Sequence, residues 1–135
     1  MRPAEVPPED VGRVPDPTAE HLLDATWRAA PVGLAVLDEE GRLLQANEAF
    51  SSQVGVDVAA LVGRRSVEFL HPDDAPVARS DYVEAHRSGR TTPSRDQRLV
   101  TADGSVRWIS STACPIRQGD RRLFVVATVD MTERR

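Results

Sequence analysis

Beyond residue 30 the apolar positions fall into short blocks, punctuated by Gly, Asp and Asn. GLAVLDEEGRLLQAN predicts a hairpin: a strand from Gly33 to Leu37, the turn Asp38-Glu39-Glu40-Gly41, and a second strand from Arg42 to Ala46. Asn47 is placed to cap a short helix through Val54, with Phe50 and Val54 on one face and Gly55 as its stop. Asp57 opens another single turn, VAALV, ended by Gly63, and SVEFL leads on to His71-Pro72-Asp73-Asp74. From Pro72 to Ser88 runs the longest helical pattern, with Ala75, Ala78, Tyr82 and Ala85 on one stripe and Gly89 after it. The remainder is strand-like: Arg95 to Thr101, Val106 to Ile116 and Leu123 to Met131, joined through Ala102-Asp103-Gly104 and Gly119-Asp120. Two strands, a set of helices and three antiparallel strands predict an α+β fold. It is one five-stranded antiparallel sheet with helices packed on one face.

Upstream the pattern differs. Residues 1–17 hold five of the ten prolines and few large apolar groups, which predicts a disordered or extended arm. Asp16-Pro17 then starts a flanking helix over 18–30, whose apolar face is Leu22, Leu23, Thr26, Trp27 and Ala30; Pro31 ends it. A domain over 31–132 comes next, and 133–135 reads as the start of a linker.

Composition changes this picture little. A chain of 135 residues suits one domain. Its net charge of −4 gives no general argument for nucleic acid. No stretch approaches the roughly 18 apolar residues of a membrane span, and the N-terminus lacks the apolar core of a signal peptide, so a cytoplasmic location is expected. The single cysteine, Cys114, excludes an intrachain disulfide and a Cys-based zinc site. Asp73 and Asp74 beside His71 could form an acid–base or metal site, but capping of the long helix explains them with less. No phosphate loop, nucleophile triad or metal-ligand spacing is present, and no enzymatic activity is expected.

Four stretches together resemble the PAS sensory domain: PVGLAVLDEEGRLLQANEAFSSQVG, LVGRRSVEFLHPDD, TADGSVRWISSTACPI and VVATVDMTERR. The resemblance covers about residues 26–135. It implies that the last strand ends in an Asp-x-Thr-Glu-Arg stub leading through a linker helix to a kinase, cyclase, phosphatase or DNA-binding effector. That effector is missing here, so the chain is expected to be an input module excised from a longer protein, or a domain acting through a partner. Asp130 and Thr132 are the expected signal output: Asp130 bonds donors at the strand end, and Thr132 caps the linker helix.

The resemblance also implies a cavity between sheet and helices. Its expected lining is Phe50, Tyr82, Leu99, Ile109, Ser111, Ala113, Phe124, Val126 and Thr128, with the Ser111 and Thr128 hydroxyls as polar anchors. A packed core with satisfied hydroxyls is the competing reading. In haem-binding relatives the axial histidine would fall on Arg79, three residues before Tyr82, which cannot ligate iron. In photosensory flavin relatives the reactive cysteine would fall on Val67, and the flavin-gripping amides near Leu99 and Thr128. Haem and a flavin–cysteine adduct are therefore not expected, non-covalent flavin stays open, and no cofactor or metal is assigned.

The outer face of the sheet carries Trp108, Thr112, Cys114, Val125, Ala127 and Val129, a larger apolar strip than solvation favours. The stripe of Leu22, Leu23 and Trp27 matches it, so a homodimer built from flanking helix and outer sheet face is expected. Function then falls between two classes: a sensory input domain acting through dimer geometry, or a ligand-free protein-interaction module.

Overall fold

The computed structural model describes residues 25–132. Its centre is a five-stranded, wholly antiparallel sheet in the order β2-β1-β5-β4-β3. The strands are β1 (Gly33–Leu37), β2 (Leu43–Ala46), β3 (Arg95–Val100), β4 (Val106–Gln118) and β5 (Arg121–Asp130). Between β2 and β3 lie helices α1 (Glu48–Val54), α2 (Val58–Leu61), a 3₁₀ turn (Ser66–Phe69) and α3 (Ala75–Ser88). The α+β architecture read from the pattern is the one observed.

Period-two burial explains the centre of the sheet. In β1, Gly33, Ala35 and Leu37 are buried while Leu34 and Val36 are half-exposed. Its neighbour β5 buries Phe124, Val126 and Thr128, pairing Leu37 with Phe124, Ala35 with Val126 and Gly33 with Thr128. Opposite β5, β4 buries Ile109 and Ala113, and β3 buries Gln97 and Leu99. These residues and Phe50, Val54, Leu61 and Phe69 from the helical segment form one apolar core, with Tyr82 packed at its edge.

Local chemistry sets the boundaries, and several differ from expectation. Asn47 caps α1 by accepting from the Phe50 amide at 2.9 Å, and Gly55 ends it in the left-handed conformation. Asp57 does not cap α2 with its side chain. Arg42 lies outside β2 and instead bridges Arg65. The long helix begins at Ala75, after a turn over 72–74. Asp74 is its N-cap residue, yet its carboxylate makes no capping bond. It takes the Arg98 amide at 2.8 Å and the guanidinium at 3.1 and 2.9 Å, because a forked cation in β3 offers stronger charge-assisted bonds than the helix amides. The β4–β5 hairpin runs further than expected, with Gln118 opposite Arg121.

Of the flanking helix, residues 25–29 are helical; 18–24, including Leu22 and Leu23, lie outside the described residues. So do the arm over 1–17 and the linker start over 133–135.

Candidate functional site

Eight of the nine expected cavity residues, all but Ser111, meet in one place, and seven of those eight are buried. Phe50, Leu99, Ile109, Ala113, Phe124 and Val126 belong to the core, Tyr82 packs against it, and Thr128 is 2% exposed. Ser111 is half-buried, opposite Thr128 on one side and Arg95 on the other. The two hydroxyls have different surroundings. Thr128 Oγ1 donates to Gln53 Oε1 at 2.5 Å, and Gln53 Nε2 donates back to the Thr128 carbonyl at 3.2 Å. Gln53 is itself 5% exposed. Thr128 is thus held by a buried amide that sequence reasoning missed; Gln53 stands on α1 one position before Val54, and its polarity concealed its inward direction.

Gly33 makes this closed couple sterically possible. A Cβ there would lie 2.2 Å from Thr128 Oγ1 and 2.7 Å from Gln53 Oε1. Beside it, Asn47 is saturated: Oδ1 accepts from the Leu34 and Phe50 amides, while Nδ2 donates to the Trp27 and Val32 carbonyls at 3.0 and 3.1 Å. The carbonyl of Trp27, the flanking-helix residue expected at an interface, is therefore tied to the core.

The opposite end of the layer is open. A cavity of about 330 Å³ lies between the β1–β2 turn, the 3₁₀ turn and α3, and reaches Phe124. Arg65, Val67, Arg79, Tyr82 and Val83 form its mouth and walls, with Glu39 and Glu40 across from them. The Tyr82 and Phe124 rings are 4.9 Å apart and tilted by 43°. Burial raises the Tyr82 phenol above its usual pKa, with the nearby Ser66 hydroxyl acting in the opposite direction. The two residues that the resemblance marked for cofactor chemistry therefore lie together at one opening. They do not fit that chemistry, since Arg79 is an exposed cation and Val67 carries no thiol.

The expected output residues lie at the far edge of β4 and β5. Asp130 accepts from the Thr132 amide at 2.9 Å and from Arg107 Nη1 at 3.1 Å. Burial pushes the Asp130 carboxyl upward, but the Thr132 amide and hydroxyl and the Arg107 guanidinium outweigh it and leave it below its usual value. Thr132 does not cap a helix among the described residues; its hydroxyl accepts from the Trp108 amide at 3.1 Å. The Trp108 carbonyl in turn takes the Met131 amide at 2.8 Å, so the ladder continues past the strand. Of the outer-face residues, Trp108, Val125 and Ala127 are half-buried, while Cys114 and Val129 are exposed.

A network joins the open end to this edge. Arg98, held by Asp74 at the start of α3, places its guanidinium 5.5 Å from the Trp108 ring centroid. One helix therefore both walls the cavity, through Arg79, Tyr82 and Val83, and reaches through Asp74 and Arg98 to the residue that anchors the chain's last described turn.

Comparison with known proteins agrees with this architecture. The family described as "PAS fold" matches residues 27–135. The chain is 28% identical to the virulence sensor protein BvgS of Bordetella bronchiseptica, over 84% of its own length. It spans only 9% of the length of that relative. Among solved structures, the PAS domain of a protein from Colwellia psychrerythraea superposes with a TM-score of 0.78 at 17% identity, covering 86% of this chain and 99% of that one. The PAS domain of an HTR-like protein from Haloarcula marismortui gives 0.71 at 20% identity, covering 82% and 90%. At such identities these structures bear on the fold alone. No helix among the described residues is long and apolar enough to cross a membrane.

Proposed function

The chain belongs to the PAS fold family, and from that premise we propose that it is the cytoplasmic sensory input module of a bacterial signal-transduction protein. It performs no reaction of its own in this reading. It passes a ligand- or partner-dependent change at the cavity to a C-terminal effector, through the geometry of a homodimer. The relationship to a virulence sensor protein supports the signalling role. One observation carries the reading: α3 walls the cavity and is bonded, through Asp74 and Arg98, to the Trp108 that holds Met131 and Thr132. A displacement of α3 then acts on the strand end without crossing the packed centre. Contiguity is a structural argument for coupling, and coupling itself is an energy to be measured.

The test is hydrogen exchange at the Met131 amide in the full chain. Breaking the link with Arg98→Gln is expected to speed exchange there, while the core amides of β1 keep their protection. Unchanged exchange at Met131 would remove this route. Native mass spectrometry of gently purified protein checks the other elements: a dimer mass and a retained small molecule support the proposal, and a bare monomer counts against it. Deletion of residues 1–30 is expected to weaken the dimer, since Leu22, Leu23 and Trp27 supply the proposed contact with Trp108, Val125 and Ala127.

A second reading has its own support. Leu99, Ile109, Ala113, Phe124 and Val126 are packed into a continuous core, and the Thr128 hydroxyl is already engaged. A ligand-free interaction module needs nothing more. A dimer without any retained ligand favours it.

A further inference from the structure

Past the end of α3, on the helix-covered side of the sheet, the core gives way to two arginines. Along β4 and β5 the pair Pro115–Phe124 is succeeded on the same face by Arg117 directly opposite Arg122. Like charges in this position repel and are destabilising. No ion pair joins either guanidinium to a carboxylate among the described residues; the nearby Arg87 is already held by Glu84 at 2.7 Å. Arg122 also borders a second hollow beside Asp38, Glu39 and Glu40, yet none of these acids pairs with it.

Arg117 and Arg122 line a cavity of about 430 Å³, in the size range of small-molecule sites. Pro115 gives it an apolar wall, and Ser88 and Gly89 border it at the helix end. His86 also lines it, with its ring 4.3 Å from that of Phe124 and its Nε2 buried without a hydrogen-bond partner. The α3 C-terminus contributes only about half a negative charge. Two guanidiniums outweigh it, so the cavity remains positive.

We propose that this cavity binds a small phosphate monoester. Arg117 and Arg122 grip the dianion through their planar forks, which match phosphate oxygens in pairs. The organic part lies against Pro115. This site is separate from the opening at Arg79 and Tyr82, and it does not depend on the signalling proposal.

The test is thermal unfolding of the full chain with phenyl phosphate, against sodium chloride at equal ionic strength and against benzoate. A saturable rise in Tm with phenyl phosphate, absent with chloride and much weaker with benzoate, supports the proposal. Arg117→Gln and Arg122→Gln should each weaken that midpoint at least tenfold; both remove like-charge repulsion, so both are expected to fold. An equal rise with chloride means simple screening of the arginine pair and overturns the site. So does a phenyl phosphate response that survives both substitutions, or no response at all. A stronger response to benzoate overturns the phosphate assignment.

Discussion

The two ends of the layer between sheet and helices are built on the same pair of central strands, and they behave oppositely. At the Gly33–Thr128 end every polar group described is matched: Gln53 closes on Thr128, and Asn47 satisfies two amides and two carbonyls. At the Leu37–Phe124 end the layer opens into cavities, and among the described residues Arg79, Arg117 and Arg122 have no ion-pair partner and the His86 Nε2 no hydrogen bond. Only three residues along β5, Val125 to Ala127, separate Thr128 from Phe124. The closed end fixes the register of β1 on β5 and ties in the segment from Trp27 to Val32. The open end keeps Leu37 and Phe124 in the core and leaves only its rim, with Arg79, Arg117 and Arg122, outside it. In the proposed reading, holding the shape and answering to a ligand are divided in space between the two ends.

The comparison breaks most readily at Gly33. Adding a methyl group there forces a contact of 2.2 Å with a hydroxyl that cannot move without abandoning Gln53. Gly33→Ala should cost about 3 kcal/mol of unfolding free energy in urea, at the upper end for overpacking. A loss under about 1 kcal/mol would mean that the closed end has slack. Thr128→Val is next, at about 2 kcal/mol, because it leaves the Gln53 oxygen buried and unbonded. Adding Gln53→Leu to it should cost less than the sum of the two single changes, since both polar partners are then gone. Additive losses would mean the couple is not a unit.

Beyond the Gly33–Thr128 end lies the Asp74–Arg98 pair, where pH is the lever. The Arg98 guanidinium and amide hold the Asp74 carboxyl below its ordinary value of 3.8, against the opposing effect of burial. The folded state therefore binds this proton less readily than the unfolded chain. Stability from the pair is complete above the ordinary value and is lost as pH falls through the lower folded value. Asp103 acts in the same direction, its carboxyl drawn down to about 2 by the Thr101 and Ser105 hydroxyls and the Ser105 amide. Asp74→Asn should cost about 1.5 kcal/mol at neutral pH. The difference from wild type should shrink as the solution is acidified below 3.8. A gap that stays constant into acid would show that the charge of Asp74 contributes nothing.

Much of the fold was legible because it is written in period and punctuation. Alternation in Leu34–Leu37 and Phe124–Thr128, the Asn47 cap and the left-handed Gly55 and Gly89 each specify local geometry on their own. What escaped were polar residues whose partners are distant in the chain. Gln53 and Thr128 are 75 residues apart, and Asp74 and Arg98 are 24 apart. No local pattern distinguishes an inward Gln from a solvated one, or an Asp that caps its helix from one that reaches to a strand. The same limit applies to the cavities. The position of Arg79 and Val67 at one mouth, and of Arg117 opposite Arg122, depends on register rather than on residue type.

The smallest effect is expected at the open end, and its smallness is the point. Arg79 is exposed, has no ion-pair partner among the described residues and stands at the cavity mouth beside Val67 and Tyr82. Removing it deletes no packed surface and leaves no buried group unpaired. Arg79→Ala should therefore shift stability by less than about 0.5 kcal/mol. If the cavity receives a ligand, the same change should alter what native mass spectrometry finds retained, because one of the two guanidiniums at the mouth is gone. A loss of stability comparable to that of Gly33→Ala would place Arg79 in the structural framework, and the division between a closed, load-carrying end and an open, responsive one would fail.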